Sequence, residues 1–340
     1  MNAHPFRVLC IDGGGVRGHL PALLLAEIER RAGRPADELF DLIVGTSTGG
    51  IIGIGVAIGI EACELAQFYP RVGRRIFGGS HAGIPQSKRL FGSVADLAER
   101  LDRASRHIGA SFGGNPAMDG NSKHRPDGLE AVLREVFGDL RLAQVTTPLA
   151  ITTFDTAAAM PVVLASRDAV ADPMFDLTLR DVARATCAAP TFFPPATITW
   201  GGAQRSFVDG GMWANNPAAV GLSEALALTG GRASADTICL VSLGTGAAPG
   251  SSLLDQNGTW LGAAHDLAGL ATSVWAGELL ARRALAASRF HRFQVVDARL
   301  AGAMDDPSRE RLDALGRAAQ QLITDRSDDL DAAIAQLTSG

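Results

Sequence analysis

The sequence predicts an α/β fold: a three-layer α/β/α sandwich with a central, mostly parallel sheet and a helical C-terminal part. Two observations carry this expectation. Strand-like and helix-like segments alternate through the first 60 residues, and the strand-like ones are nearly unbroken apolar runs. Such runs mark strands covered on both faces, and strand-helix alternation joins them as parallel units.

The elements follow in order. Residues 6–11, Phe-Arg-Val-Leu-Cys-Ile, read as the first strand, followed by a glycine run. Leu20, Leu23, Leu24 and Ile28 then share one helix face, and Gly33 is placed to stop that helix. Residues 42–44 form the second strand and 51–60 the next helix. The whole stretch 42–60 is charge-free and long enough to imitate a membrane span. Its six glycines and the polar turn Thr46-Ser47-Thr48 instead read as a buried strand, a tight turn and a buried helix. Later strands are expected at 149–153, 161–164, 206–208 and 237–243, with helices at 129–137 and 217–228. After Gly250 the chain reads as largely helical, with a strand-like stretch at 290–296.

There is no internal repeat and no linker, so one domain is expected over 1–325, with 326–340 as a C-terminal tail. Within it, 70–128 loosens into Gly, Ser, His and Arg around an amphipathic stretch at 94–107. Between Pro70 and Gly128 it carries ten Lys or Arg against five Asp or Glu. The plain reading is a solvated surface. The functional alternative is a variable, lid-like insertion that approaches anionic headgroups.

Composition excludes several classes. With 46% hydrophobic and 20% charged residues among 340, the chain has neither the polarity nor the charge excess of a disordered one. A net charge of −5 gives no basic face for nucleic acid. Cys10, Cys63, Cys187 and Cys239 form no Cys-x-x-Cys pair. Four buried thiols in a reducing cytoplasm are therefore expected, with neither zinc nor disulfides. The first strand follows Met1 so closely that no export signal fits, so the expected location is the cytoplasm, peripheral to membranes where it meets lipid.

Gly45-Thr46-Ser47-Thr48-Gly49 matches G-x-S-x-G, the nucleophile elbow, with the required strand before it and helix after it. The glycines allow a turn sharp enough to expose the Ser47 side chain above a helix N-terminus, whose dipole favours developing negative charge. Gly13, Gly15 and Gly18 of Asp12-Gly13-Gly14-Gly15-Val16-Arg17-Gly18 also spell G-x-G-x-x-G, a dinucleotide fingerprint. That reading requires an acid at the end of the second strand, whereas Asp41 lies at its start. Gly13, Gly14 and Gly15 instead offer adjacent backbone N–H groups suited to an oxyanion hole. Ser206-Phe207-Val208-Asp209-Gly210-Gly211 places a carboxylate at a strand end. Alone it is only a turn signal. His265 and His291, the only histidines after Asp209, are neither in a glycine turn.

These three motifs, in this order, resemble the patatin-like phospholipase family. The likeness extends to Ala188-Ala189-Pro190 through Pro195, Asn215-Asn216-Pro217, Ser242-Leu243-Gly244-Thr245-Gly246, Arg289 through Phe293 and Met304-Asp305-Asp306. It looks closer to the bacterial and calcium-independent branch than to the plant storage proteins. The resemblance implies a patatin-like fold and a serine hydrolase acting on fatty-acyl esters of lipids, with no cofactor and no metal. It implies a Ser47–Asp209 dyad in which the aspartate takes the serine proton directly, with Gly13, Gly14 and Gly15 holding the oxyanion. Arg17 stands in the place of the family's basic residue and reads as an orienting or headgroup-facing charge, or as a surface arginine. The expected partner is a lipid or phospholipid, met by transient contact with a membrane surface. Three alternatives remain open: a soluble short-chain esterase or thioesterase, a ligand-gated phospholipase effector, and a nucleotide-binding module using Gly13 to Gly18. The sequence does not fix the oligomeric state.

Overall fold

The computed structural model describes residues 4–78, 122–249 and 275–339. One eight-stranded sheet organises them. Its strands are β1 (Phe6–Ile11), β2 (Leu42–Thr46), β3 (Leu149–Asp155), β4 (Met160–Ala165), β5 (Ala196–Trp200), β6 (Ala203–Asp209), β7 (Ile238–Leu243) and β8 (Phe290–Phe293). The order is β5-β6-β3-β2-β1-β7-β8, with β4 also paired to β3. Strands β3, β2, β1, β7 and β8 are parallel to one another. The antiparallel additions are β4, β6 and β5. The sheet is therefore mixed and mostly parallel, as expected.

The described helices of eight residues or more are α1 (His19–Ala32), α2 (Thr48–Ala57), α3 (Phe68–Phe77), α4 (Asp127–Phe137), α5 (Leu179–Thr186), α6 (Ala218–Leu228), α7 (Trp275–Ala284), α8 (Arg309–Asp325) and α9 (Ser327–Thr338). Alternate residues of the central strands feed two separate cores. Leu9, Ile11, Ile43, Val241 and Leu243 face the core built by α1 to α5, α8 and α9. Val8, Cys10, Leu42, Val44 and Leu240 face the other, with α6 and α7. Each large apolar side chain buried this way contributes about 1.5–3 kcal/mol. This two-sided burial explains why the strands show no polar alternation.

Some boundaries differ from the sequence expectation, each for a physical reason. Helix α2 starts at Thr48, directly after Ser47, and every residue in it is buried, so it has no polar face from which a period could be read. Within the expected tail, Ser327–Thr338 form a packed helix. Leu330, Ala333, Ile334 and Leu337 line one face of α9 and are buried, and Arg31 of α1 pairs with Asp331 at 2.8 Å. The expected insertion boundary at residue 70 falls inside α3, whose Tyr69, Gly73 and Ile76 are buried. At its other end His124 is buried and α4 begins at Asp127. The amphipathic stretch 94–107 lies outside the described residues. All four cysteines are free, but Cys63 is exposed, not buried. It sits in the helical turn Ala62–Leu65, whose buried positions are Ala62 and Leu65. No described helix is long and apolar enough to cross a membrane.

Candidate active site

At the end of β2 the chain turns through Ser47, whose φ of 53° and ψ of −122° lie in a region non-glycine residues rarely adopt. The flanking glycines are fixed by contact. A Cβ on Gly45 would stand 2.4 Å from the Gly49 carbonyl oxygen, and one on Gly49 would stand 2.2 Å from that of Ile11. Helix α2 therefore starts hard against the ends of β1 and β2. The Ser47 N–H donates to Thr186 Oγ1 at 2.8 Å, and its carbonyl accepts from Gly50 and Ile51. Thr48 Oγ1 meets the Tyr69 hydroxyl at 2.6 Å. The strained backbone is thus held from several sides, and the serine side chain is left half-buried at the sheet edge.

Asp209 arrives by strand pairing. Strand β4 occupies one edge of β3 along Ala150 to Asp155. On the other edge β2 pairs as far as Thr46 opposite Thr152, and β6 pairs onward with Asp209 opposite Thr153. Two strands thus share one edge end to end, which sets Asp209 beside the elbow. The Asp209 N–H donates to the Ala188 carbonyl at 3.0 Å, and its Oδ1 accepts from the Gly211 N–H at 2.7 Å. Only 6% of the residue is exposed. Burial pushes the carboxyl up to about 6, while the Ser47 side chain and the Gly211 N–H oppose the rise.

The glycine loop lies against this pair, since a Cβ on Gly13 would come within 3.3 Å of Ser47 Cβ. Gly13 donates its N–H to the Asn215 carbonyl at 3.0 Å, and its carbonyl accepts from Thr245 Oγ1 at 2.8 Å. The Gly14 carbonyl accepts from Arg17, and the Val16 N–H donates to the Met304 carbonyl at 2.8 Å. Of the three glycines expected to hold an oxyanion, Gly13 therefore has its N–H already donated to Asn215. Among the described residues the N–H groups of Gly14 and Gly15 have no protein acceptor. The same holds for Thr48, in the first turn of α2, where no intrahelical acceptor exists.

Arg17 packs against the same loop. Its Nη1 donates to the Gly246 carbonyl at 3.0 Å, its Nε to that of Gly14 at 3.3 Å, and its Nη2 lies 3.2 Å from Met304 Sδ. Burial lowers it to about 10, so it stays a cation at neutral pH. It braces the glycine loop from behind.

His291 does not join this group. His291, on β8, is half-buried and hydrogen-bonded to Gln336 at 3.1 Å. His265 lies outside the described residues. Asp41 forms a fork with Arg7 at 2.7 Å, at the opposite end of β2 from the elbow. No cluster of three or more His, Cys, Asp or Glu that could hold a metal occurs among the described residues. Sequence reasoning missed Thr186, which fixes the elbow, and gave Asp12 no role. The available signal for Asp12 was a second charge, Arg292, set between the apolar ends Phe290 and Phe293 of strand β8.

Residues 9–222 match the model of the patatin-like phospholipase family, and the chain belongs to that family. It is 34% identical over 236 residues to patatin-like protein 2 of Oryza sativa subsp. indica, which covers 64% of this chain and 52% of that protein. It is 31% identical over 271 residues to a cGAMP-activated phospholipase of Pseudomonas aeruginosa, covering 77% of this chain and 70% of the relative. Among solved structures it is similar to VipD from Legionella pneumophila at 13% identity and a TM-score of 0.44, covering 95% of this chain and 67% of that one. The chain spans about half the length of the plant relatives it matches.

Proposed function

We propose that the chain is a lipid acyl hydrolase that cleaves fatty-acyl esters of phospholipids with a Ser47–Asp209 dyad. The observation that carries this reading is the buried Asp209 carboxyl beside the elbow serine, raised to about 6 and so a better base than an ordinary aspartate. Ser47 Oγ attacks the ester carbonyl carbon as its proton passes to Asp209. The carbonyl oxygen becomes an oxyanion held by the free N–H groups of Gly14 and Gly15, with Thr48 and the α2 dipole adding to the field. Collapse expels the alcohol, which takes the proton from Asp209. Water, deprotonated by Asp209, then attacks the acyl-serine, and the Ser47 Oγ–acyl bond breaks as Asp209 returns the proton to Oγ, releasing the fatty acid.

The test is release of free fatty acid from phospholipid vesicles by the native protein and by Ser47→Ala. Release by the native protein alone supports the reading, and equal release by both overturns it. Comparing a micellar with a monomeric ester separates the lipase from a soluble esterase. Tight nucleotide binding by a protein that cleaves no ester would instead favour the nucleotide-binding module. A second reading, in which a small ligand switches hydrolysis on, is favoured by the likeness to the Pseudomonas cGAMP-activated phospholipase. Adding cyclic GMP–AMP to the vesicle assay tests it, and an unchanged rate rejects that ligand.

A further inference from the structure

We propose that Arg292 is a positioning residue for this reaction, holding the oxyanion-binding loop in register with Ser47 through the carboxylate of Asp12. The inference rests on the hydrolase reading above. The pairing of β1 with both its neighbours stops at Ile11, opposite Gly45 and Leu243, and the loop that carries the free N–H groups begins at the next residue. Gly13, Gly14 and Gly15 have no side chains to anchor. Asp12 supplies the only side chain between the end of the strand and Val16, and it is fully buried.

Arg292 meets it as a fork. Nη1 donates to Asp12 Oδ1 at 3.0 Å and Nη2 to Oδ2 at 2.6 Å. A bidentate pair of this kind fixes direction as well as distance. The same guanidinium reaches the base side of the site. Nη1 also donates to Ser242 Oγ at 2.9 Å, which accepts from Asn216 Nδ2 at 3.3 Å. Asn216 follows Asn215, whose carbonyl holds the Gly13 N–H, and both lie on the segment leading away from Asp209. On its remaining side, Nε lies 3.3 Å from Glu278 Oε2 of α7.

Burying an arginine and an aspartate costs several kcal/mol per ion before their attraction is counted, and apolar residues of similar size often serve stability as well or better. Here β1 is already paired along both edges, so the ion pair adds little to the sheet. It does fix the direction in which the chain leaves the sheet, on which the position of the Gly14 and Gly15 N–H groups depends. A shift of about 1 Å in a positioning element can cost 10²-fold in rate.

The test uses the full chain, p-nitrophenyl butyrate as a monomeric ester, and two variants. Arg292→Lys keeps the charge and loses the fork, and Asp12→Asn keeps the shape and loses the charge. The expected result for each is a folded protein with kcat lowered about 10- to 100-fold, KM within twofold, and a melting temperature close to native. A folded variant of either kind with native kcat overturns the proposal, as does a drop matched by a rise in KM. Loss of the fold in both variants makes Arg292 a purely structural clamp and likewise overturns it. Absence of Ser47-dependent turnover in the native protein overturns the hydrolase reading and this inference together. Native turnover with unaffected variants overturns this inference alone.

Discussion

Thr46 and Asp209 lie along one edge of β3, opposite the consecutive residues Thr152 and Thr153, although they belong to different strands of opposite direction. That register brings the residue before the elbow serine next to the carboxylate. No loop has to reach across the sheet to bring the Asp209 carboxylate to Ser47, so its placement inherits the rigidity of the ladder. The spacing between Ser47 and Asp209 is accordingly sensitive to β3, and the predictions below follow from the state of Asp209 and of the loop beside it.

The first concerns pH. As the proposed base, Asp209 would work only when ionised, and burial pushes its carboxyl up to about 6. Turnover of a soluble ester should be flat above about pH 7 and fall about tenfold per unit below pH 6. A profile whose lower limb disappears in His291→Ala would transfer the role of base to that histidine.

The second concerns stability, and its sign is opposite to that of an ordinary salt-bridged aspartate. Asp209 binds its proton more tightly folded than unfolded, because its folded value of about 6 stands above the ordinary 3.8. Folding stability from this group is therefore greatest at low pH and is lost as pH rises between about 4 and 6. Asp12, also raised to about 6 by burial against the pull of Arg292, adds in the same direction. Asp209→Asn should remove turnover and, at pH 7, stabilise the fold by roughly 1–3 kcal/mol, which raises the melting temperature. A melting temperature that falls would show that the buried carboxylate stabilises the fold.

Backbone strain at Ser47 gives the third. Ser47→Ala should abolish turnover and labelling by a fluorophosphonate while keeping the fold. Ser47→Gly should be more stable than Ser47→Ala by about 1 kcal/mol, since only glycine adopts a φ of 53° here without cost. Equal stability of the two variants would remove the claim of strain.

Loss of the loop brace gives the fourth. A Cβ on Gly14 would stand 2.5 Å from Thr245 Oγ1, so Gly14→Ala must move the loop. Its kcat should fall by about 10²-fold or more, the usual effect of losing an oxyanion donor. Arg17→Ala should lower kcat by the same factor on anionic phospholipid and on an uncharged ester. A loss confined to the anionic lipid would restore Arg17 as a headgroup contact.

How much of this was legible in the sequence depends on where the signal resides. Ser47 was readable because a tight turn leaves glycines at fixed spacing between an apolar strand and a helix. Asp209 was readable only through the other two motifs, since Asp-Gly-Gly by itself marks any turn. The spent N–H of Gly13 was not readable, because its acceptor, Asn215, lies more than 200 residues away in the chain. The brace by Arg17 was hidden for the same reason, its acceptor being Gly246. Strand β5, half exposed and joined to β6 by Gly201-Gly202, was passed over. Helix α9 was legible in the spacing of Leu330, Ala333, Ile334 and Leu337, but its place at the chain end favoured a tail.

Two strands meeting end to end on one edge of β3 also impose an order of events during synthesis. Ser47 leaves the ribosome well before Asp209, which is added 162 residues later. At ordinary elongation rates that interval is about ten to thirty seconds. Throughout it the proposed base is missing, and the edge of β3 beyond Thr152 has no strand to seat it. On the proposed reading, a lipid hydrolase is thus inactive while it is being made: its chemistry switches on only when the sheet closes over distant parts of the chain.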